Sequence, residues 1–153
     1  MGKDKYENIR IGMTGRLDSM QAVVLDAKLD IFEQELTLRQ AVADRYQKLI
    51  GDIVDAPRLV DGAKSSWAQY CIKLPKTSKR DQVIKHLGAS GVPTAIYYPI
   101  PMHQQPPYKE FPQSQCGLSV TLDLCRRALA LPMHPYLDES QQNHIAAELH
   151  NAL

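Results

Sequence analysis

The residues best equipped for chemistry lie in one run, Ile96–Tyr97–Tyr98–Pro99–Ile100–Pro101–Met102–His103, which sets two phenols and an imidazole among closely spaced prolines. Tyr97, Tyr98 and His103 can hold a sugar or a base by hydrogen bonds and ring contact, with the imidazole donating or accepting near neutral pH. The plainer alternative is a strand with one buried and one exposed tyrosine, followed by a loop histidine, because strand alternation sends only one of two adjacent phenols inward. A second candidate is the turn Gly12–Met13–Thr14–Gly15–Arg16, just before a helix start. There the free amides of a helix N-terminus, the Thr14 hydroxyl and the Arg16 guanidinium can meet an anion. The alternative is an entry turn that carries an exposed arginine.

Other chemistry finds little support. His86, His134, His144 and His150 show no HExxH or other close ligand spacing, so no metal site is expected, and His86, His144 and His150 read as solvated helix positions. The three cysteines, Cys71, Cys116 and Cys125, are odd in number and too dispersed for a CxxC pair, and their apolar neighbours suggest buried, reduced thiols. A phosphate loop of the GxxxxGK[ST] type is absent.

The scaffold that must position these groups is one domain by length, since 153 residues suffice for a single core. A net charge of +1 with interspersed signs gives no basic stripe for nucleic acid. No apolar run approaches the roughly 18 residues of a membrane span, and Met1–Tyr6 lacks the apolar segment of a secretory signal, so a soluble cytoplasmic chain is expected. The charged start runs at once into Ile9–Arg10–Ile11–Gly12, which reads as a mid-protein connection and suggests a fragment.

Asp18 followed by Gln21 predicts a capped helix start, and Met20, Val23, Val24, Ala27 and Ile31 recur as one stripe to be buried. A second Asp-x-x-Glu pattern, Asp30 to Glu33, predicts a bend or re-initiation near Leu29–Asp30 in a helix that covers Asp18–Ile50 and stops at a left-handed Gly51. Loop follows over Asp52–Ala63 with one brief extended piece. Alternation over Ser66–Leu74 predicts a half-buried strand, with Trp67, Gln69, Cys71 and Lys73 on one side and Ala68, Tyr70, Ile72 and Leu74 on the other. Ser78 with Asp81 starts a helix that ends near Gly88–Gly91, and Thr94–Tyr98 makes a second strand, giving a strand–helix–strand unit. Pro99–Gly117 holds five of the ten prolines and reads as an ordered loop. Ser119–Leu129 forms a short helix, Ala130–Met133 an extended piece, and Asp138 with Gln141 caps a last helix. The class is α+β: a small antiparallel or mixed sheet covered by helices, with a long bent N-terminal helix.

Three stretches together resemble one family. Ile11–Gly12–Met13–Thr14–Gly15–Arg16–Leu17–Asp18–Ser19–Met20–Gln21–Ala22 is similar to the (I)GxNxRLDxxQAA signature of the DegT/DnrJ family of pyridoxal-phosphate-dependent sugar aminotransferases. Thr94–His103 resembles that family's TxI[HY]YPxPLH run, and Leu129–Ala130–Leu131–Pro132–Met133–His134–Pro135 its closing LxLPMHP. The resemblance covers only the C-terminal part of such an enzyme. It implies the small domain of a fold-type I aminotransferase over residues 18–153, with residues 1–17 connecting to an N-terminal domain that carries the Schiff-base lysine.

What the resemblance implies for the site follows residue by residue. Pyridoxal 5'-phosphate binds the full-length enzyme and none is expected in this fragment, which holds no catalytic residue of its own. Thr14, where many members have Asn, reaches the cofactor phosphate of the neighbouring subunit of a homodimer. Arg16 faces the nucleotide-sugar substrate in that same neighbouring site. Tyr97, where several members have His, lines the sugar–nucleotide cleft with Tyr98, and His103 stands at its mouth. Nucleotide-linked keto sugar and glutamate are the implied partners, amino sugars for cell-surface polysaccharide the implied product. The alternative is a free-standing truncated paralogue that acts as a binding or regulatory module.

Overall fold

A computed structural model describes Gly12, Met13 and residues 15–153. The first helix, α1 (Ser19–Ile50), starts where Asp18 accepts hydrogen bonds from the amides of Met20 (2.9 Å) and Gln21 (3.4 Å). It then runs unbroken for 32 residues, so the expected re-initiation at Asp30 does not occur. An Asp-x-x-Glu pattern caps only where first-turn amides are free. Within Ser19–Ile50 no glycine or proline interrupts the i to i−4 ladder, and those amides are already bonded.

Only the far end of α1 enters the core. Val42, Ala43, Tyr46 and Ile50 are buried, whereas Met20 is 80% and Val23 70% exposed, so the stripe expected to be buried faces outward. Gly51 ends the helix at φ −68°, not left-handed as expected. Its need for glycine is steric, because a Cβ there would run into the Gln47 side chain and carbonyl.

Two short strands, β1 (Tyr70–Lys73) and β2 (Ala128–Leu131), pair antiparallel with Tyr70 opposite Leu131 and Lys73 opposite Ala128. The expected strand over 66–74 is thus shorter at its start. Its alternation holds from Tyr70 on: Tyr70, Ile72 and Leu74 turn inward, with Leu129 and Leu131 beside them. Asp55 bridges to Lys73, which is the brief extended piece of the loop after α1, and an ion pair joins their side chains. The expected strand Thr94–Tyr98 contracts to a single bridge between Ala95 and Ala130.

Helices α2 (Arg80–Ala89), α3 (Ser119–Arg127) and α4 (Glu139–Ala152) complete the α+β body. Helix α2 starts at Lys79 with no side-chain cap, contrary to the expected Ser78–Asp81 box. It ends at a left-handed Gly91 (φ +75°). The Asp138–Gln141 box at α4 is complete, with the Asp138 carboxylate accepting from the Gln141 amide and the Gln141 side chain accepting from the Asp138 amide. Val83 and Leu87 of α2 and Ile145, Ala146 and Leu149 of α4 join Tyr46 and Ile50 of α1 over the strand pair. Arginines tie the seams: Arg127 donates to the Leu74 carbonyl (2.6 Å) and Arg80 to that of Cys125 (2.6 Å). His86 is half-buried against Glu148 (3.0 Å), not solvated as expected, and His144 and His150 approach the carbonyls of Ser90 and Leu49. The three thiols are free; Cys71 and Cys125 are half-buried, but Cys116 is exposed, since its neighbours belong to the loop before α3.

Candidate functional site

Strand β2 is the middle of a three-part arrangement. On one side Ala130 stands opposite Cys71, and on the other it exchanges both backbone hydrogen bonds with Ala95 (2.8 and 3.1 Å). The continuation Leu131–Pro132–Met133 therefore runs between the segment before β1 and the segment Pro93–Tyr97. A groove of about 230 Å³ opens there, with Gln69 on the β1 side, Thr94 and Tyr97 on the other, and Ala95, Ala130 and Met133 between. Apolar walls with a few convergent polar groups suit a small ring that carries hydroxyl or amide substituents.

The structure thus brings the second and third motif runs together. Tyr97 lines the groove and is 37% exposed; Tyr98 is 70% exposed, so the alternative with one tyrosine buried does not hold. The cause is local. Only Ala95 is paired, and Tyr98 takes a left-handed backbone (φ 57°) that breaks alternation directly after Tyr97. His103 lies five residues on in a 3₁₀ turn, Met102–Gln104, half-buried, and does not line the groove. The loop around it is pinned by Gln105, which is 4% exposed and donates from Nε2 to the Ile100 carbonyl (3.5 Å).

Arg16 is exposed and precedes α1. Along that helix, Glu35 accepts from the Tyr136 hydroxyl of the body (2.8 Å). At 1.5 Å per residue, Asp18 stands roughly 25 Å from Glu35 along the axis. Arg16 does not line the groove that holds Tyr97. Thr14 lies outside the described residues.

The perturbed, ion-paired carboxylates of Asp55 and Asp123 do not line the groove. The Lys73 ammonium beside Asp55 holds that carboxyl below the usual range, first by hydrogen bonding, and Arg127 does the same for Asp123. Burial pushes the Cys71 thiol up. Among the described residues no three His, Cys, Asp or Glu side chains converge to hold a metal ion. No helix among them is long and apolar enough to cross a membrane.

Gln69, Thr94 and Met133 are groove residues that reading the residues for chemistry does not single out. Alternation put Gln69 on one side of a strand with Trp67, Cys71 and Lys73, and nothing local distinguishes it from a solvated glutamine. Met133 was visible only as part of the LxLPMHP resemblance.

Fold and groove together define a small α+β domain with an open, polar-rimmed recess. The chain belongs to the DegT/DnrJ/EryC1/StrS aminotransferase family, whose model matches residues 1–150. It is 38% identical over 152 residues to the UDP-2-acetamido-2-deoxy-3-oxo-D-glucuronate aminotransferase of Pseudomonas aeruginosa, covering 98% of this chain and 41% of that one. It is 36% identical over 149 residues to a UDP-N-acetyl-3-dehydro-alpha-D-glucosamine 3-aminotransferase of Acidithiobacillus ferrooxidans, covering 97% and 39%. Among solved structures, a DegT/DnrJ/EryC1/StrS aminotransferase from Brucella abortus matches with a TM-score of 0.83 at 42% identity, covering 98% of this chain and 39% of that one. The chain thus spans about two fifths of the length of the relatives it matches.

Pyridoxal 5'-phosphate, which the family uses, needs a lysine for its carbonyl carbon and a carboxylate for its ring nitrogen. The groove lining of Gln69, Thr94, Tyr97 and apolar residues contains neither, so these residues do not by themselves fit the cofactor.

Proposed function

We propose that this chain is the C-terminal, substrate-facing part of a pyridoxal-phosphate-dependent aminotransferase that converts a nucleotide-linked keto sugar to an amino sugar. Residues 18–153 form the small domain and 1–17 the connection to a larger one. The observation that carries the reading is the family match over residues 1–150, together with two relatives of 36–38% identity that are both named for UDP-linked 3-oxo sugars. A UDP-linked 3-oxo hexose is accordingly the favoured substrate and glutamate the amine donor. Cofactor, lysine and ring-nitrogen carboxylate are assigned to the rest of the longer protein.

In this reading Tyr97 and Tyr98 form one wall of the sugar site, where phenols accept and donate hydrogen bonds to ring substituents. His103 stands at its mouth. Arg16 serves the site of the neighbouring subunit in a homodimer, where its fixed fork of donors suits a diphosphate or carboxylate, and Thr14 donates there to the cofactor phosphate. The enzyme works in the cytoplasm and supplies amino sugars for surface glycans. The test is glutamate-dependent amination of UDP-3-keto-N-acetylglucosamine by the full-length enzyme. Turnover is expected, and Tyr97→Ala should lower kcat/KM for the sugar by about 10- to 100-fold through lost positioning. An enzyme with bound cofactor that aminates no nucleotide sugar contradicts the reading.

A further inference from the structure

Among the described residues two that are not glycine adopt a left-handed backbone, Trp67 (φ 45°) and Tyr98 (φ 57°), and each adjoins a rim of the same groove. Trp67 directly precedes Ala68 and Gln69, which line one side; Tyr98 directly follows Tyr97, which lines the other. A bulky residue in this region is uncommon and persists only where its surroundings over-determine it, typically beside ligand sites.

For Trp67 the surroundings are explicit. Its indole Nε1 donates to Gln40 Oε1 on α1 (2.7 Å), and its carbonyl accepts from Arg39 Nη1 (2.9 Å). Its amide donates to Ser65 Oγ (3.0 Å), and its ring packs on Tyr70 with centroids 5.7 Å apart. Regular alternation would send Trp67 to the same side as Gln69. The left-handed turn instead drives the indole into the core, 6% exposed, while Gln69 remains at the groove.

We infer that Trp67 is a positioning residue for the substrate groove: anchored by Gln40 and Arg39, its left-handed turn holds Gln69 at the rim facing Tyr97 across β2, where its amide recognises a polar substituent of the sugar ring. The role in catalysis rests on the sugar-site reading above; the geometric part does not. A hexose laid on Ala95, Ala130 and Met133 presents its edge substituents to Gln69 on one side and Thr94 and Tyr97 on the other.

The test has two arms. In the full-length enzyme, Trp67→Phe and Gln40→Leu each remove the indole hydrogen bond without touching the groove. Each should raise KM for UDP-3-keto-N-acetylglucosamine about tenfold and leave KM for glutamate unchanged, whereas Gln40→Glu, which keeps an acceptor, restores the sugar KM. Lowered thermal stability with an unchanged sugar KM, or equal rises in both KM values, overturns the inference. In the second arm, a crystal structure of this chain with Gln40→Leu should show residue 67 out of the left-handed region and Gln69 displaced from the rim. An unchanged 67–69 segment overturns it, whatever the enzyme aminates. Failure of wild-type amination alone counts against the functional reading, and the second arm then decides the placement of Gln69.

Discussion

Two tyrosines in contact show how one hydroxyl can be worth keeping and another not. Tyr46 and Tyr70 stack with centroids 4.9 Å apart, and both are buried. Tyr46 donates to the Pro132 carbonyl (2.9 Å), whereas the Tyr70 hydroxyl has no hydrogen-bond partner among the described residues. Burial pushes both phenols up, Tyr46 further with Tyr70 adding to it, and Tyr70 to about 12 with Asp44 adding to it. Tyr46→Phe should cost about 1 kcal/mol, because it also strands a carbonyl at the edge of the groove floor. Tyr70→Phe should be neutral or stabilising, since it removes a desolvated group that makes no bond. Urea titration of the two variants checks the order, and a larger loss for Tyr70→Phe would contradict it. The same scale marks a boundary of sequence reading. Alternation grouped Tyr70 with Ile72 and Leu74, which are buried together, but Trp67 left the pattern through a backbone turn whose partners, Gln40 and Arg39, lie far away in the chain.

Helices α2 and α4 are clamped by a small polar cluster. Glu148 accepts from the Ser90 hydroxyl (2.6 Å) and meets His86 Nε2 (3.0 Å), and His144 Nε2 meets the Ser90 carbonyl (3.0 Å). The Ser90 hydroxyl first, and His86 second, hold the Glu148 carboxyl below its ordinary range. A carboxyl depressed in the folded state stabilises above the unfolded value, about 4.3, and loses that contribution as pH falls through its folded value. The stability gap between the wild type and Glu148→Gln should therefore be steady from pH 7 to 5 and close towards pH 3, read from denaturation midpoints. A gap that stays constant to pH 3 would rule the clamp out. Several local signals hold: the Asp18 and Asp138 caps and the Gly91 stop. Others fail locally, since the Asp30 pattern meets amides already bonded within α1 and the Ser78–Asp81 pattern caps nothing. The remaining misses have tertiary causes: the Thr94–Tyr98 strand has a partner only at Ala95, and His86 gains a carboxylate from another helix.

At the scale of the molecule the apolar stripe of α1 is the plainest mismatch between pattern and burial. Met20, Val23, Val24 and Ile31 recur at helical spacing and all are exposed, so periodicity marked an apolar face that this chain's own core does not cover. The composite site proposed above, with Arg16 supplied by the neighbouring subunit, is tested most directly by mixed dimers. Full-length Arg16→Ala and Tyr97→Ala, each expected to keep about a tenth of wild-type activity or less, are to be co-expressed and assayed for glutamate-dependent amination of UDP-3-keto-N-acetylglucosamine. If Arg16 acts across the interface, each mixed dimer regains one intact site, and activity returns to about a quarter of wild type for random pairing in a two-fold dimer. No recovery, with mixed dimers shown to form, would contradict the account.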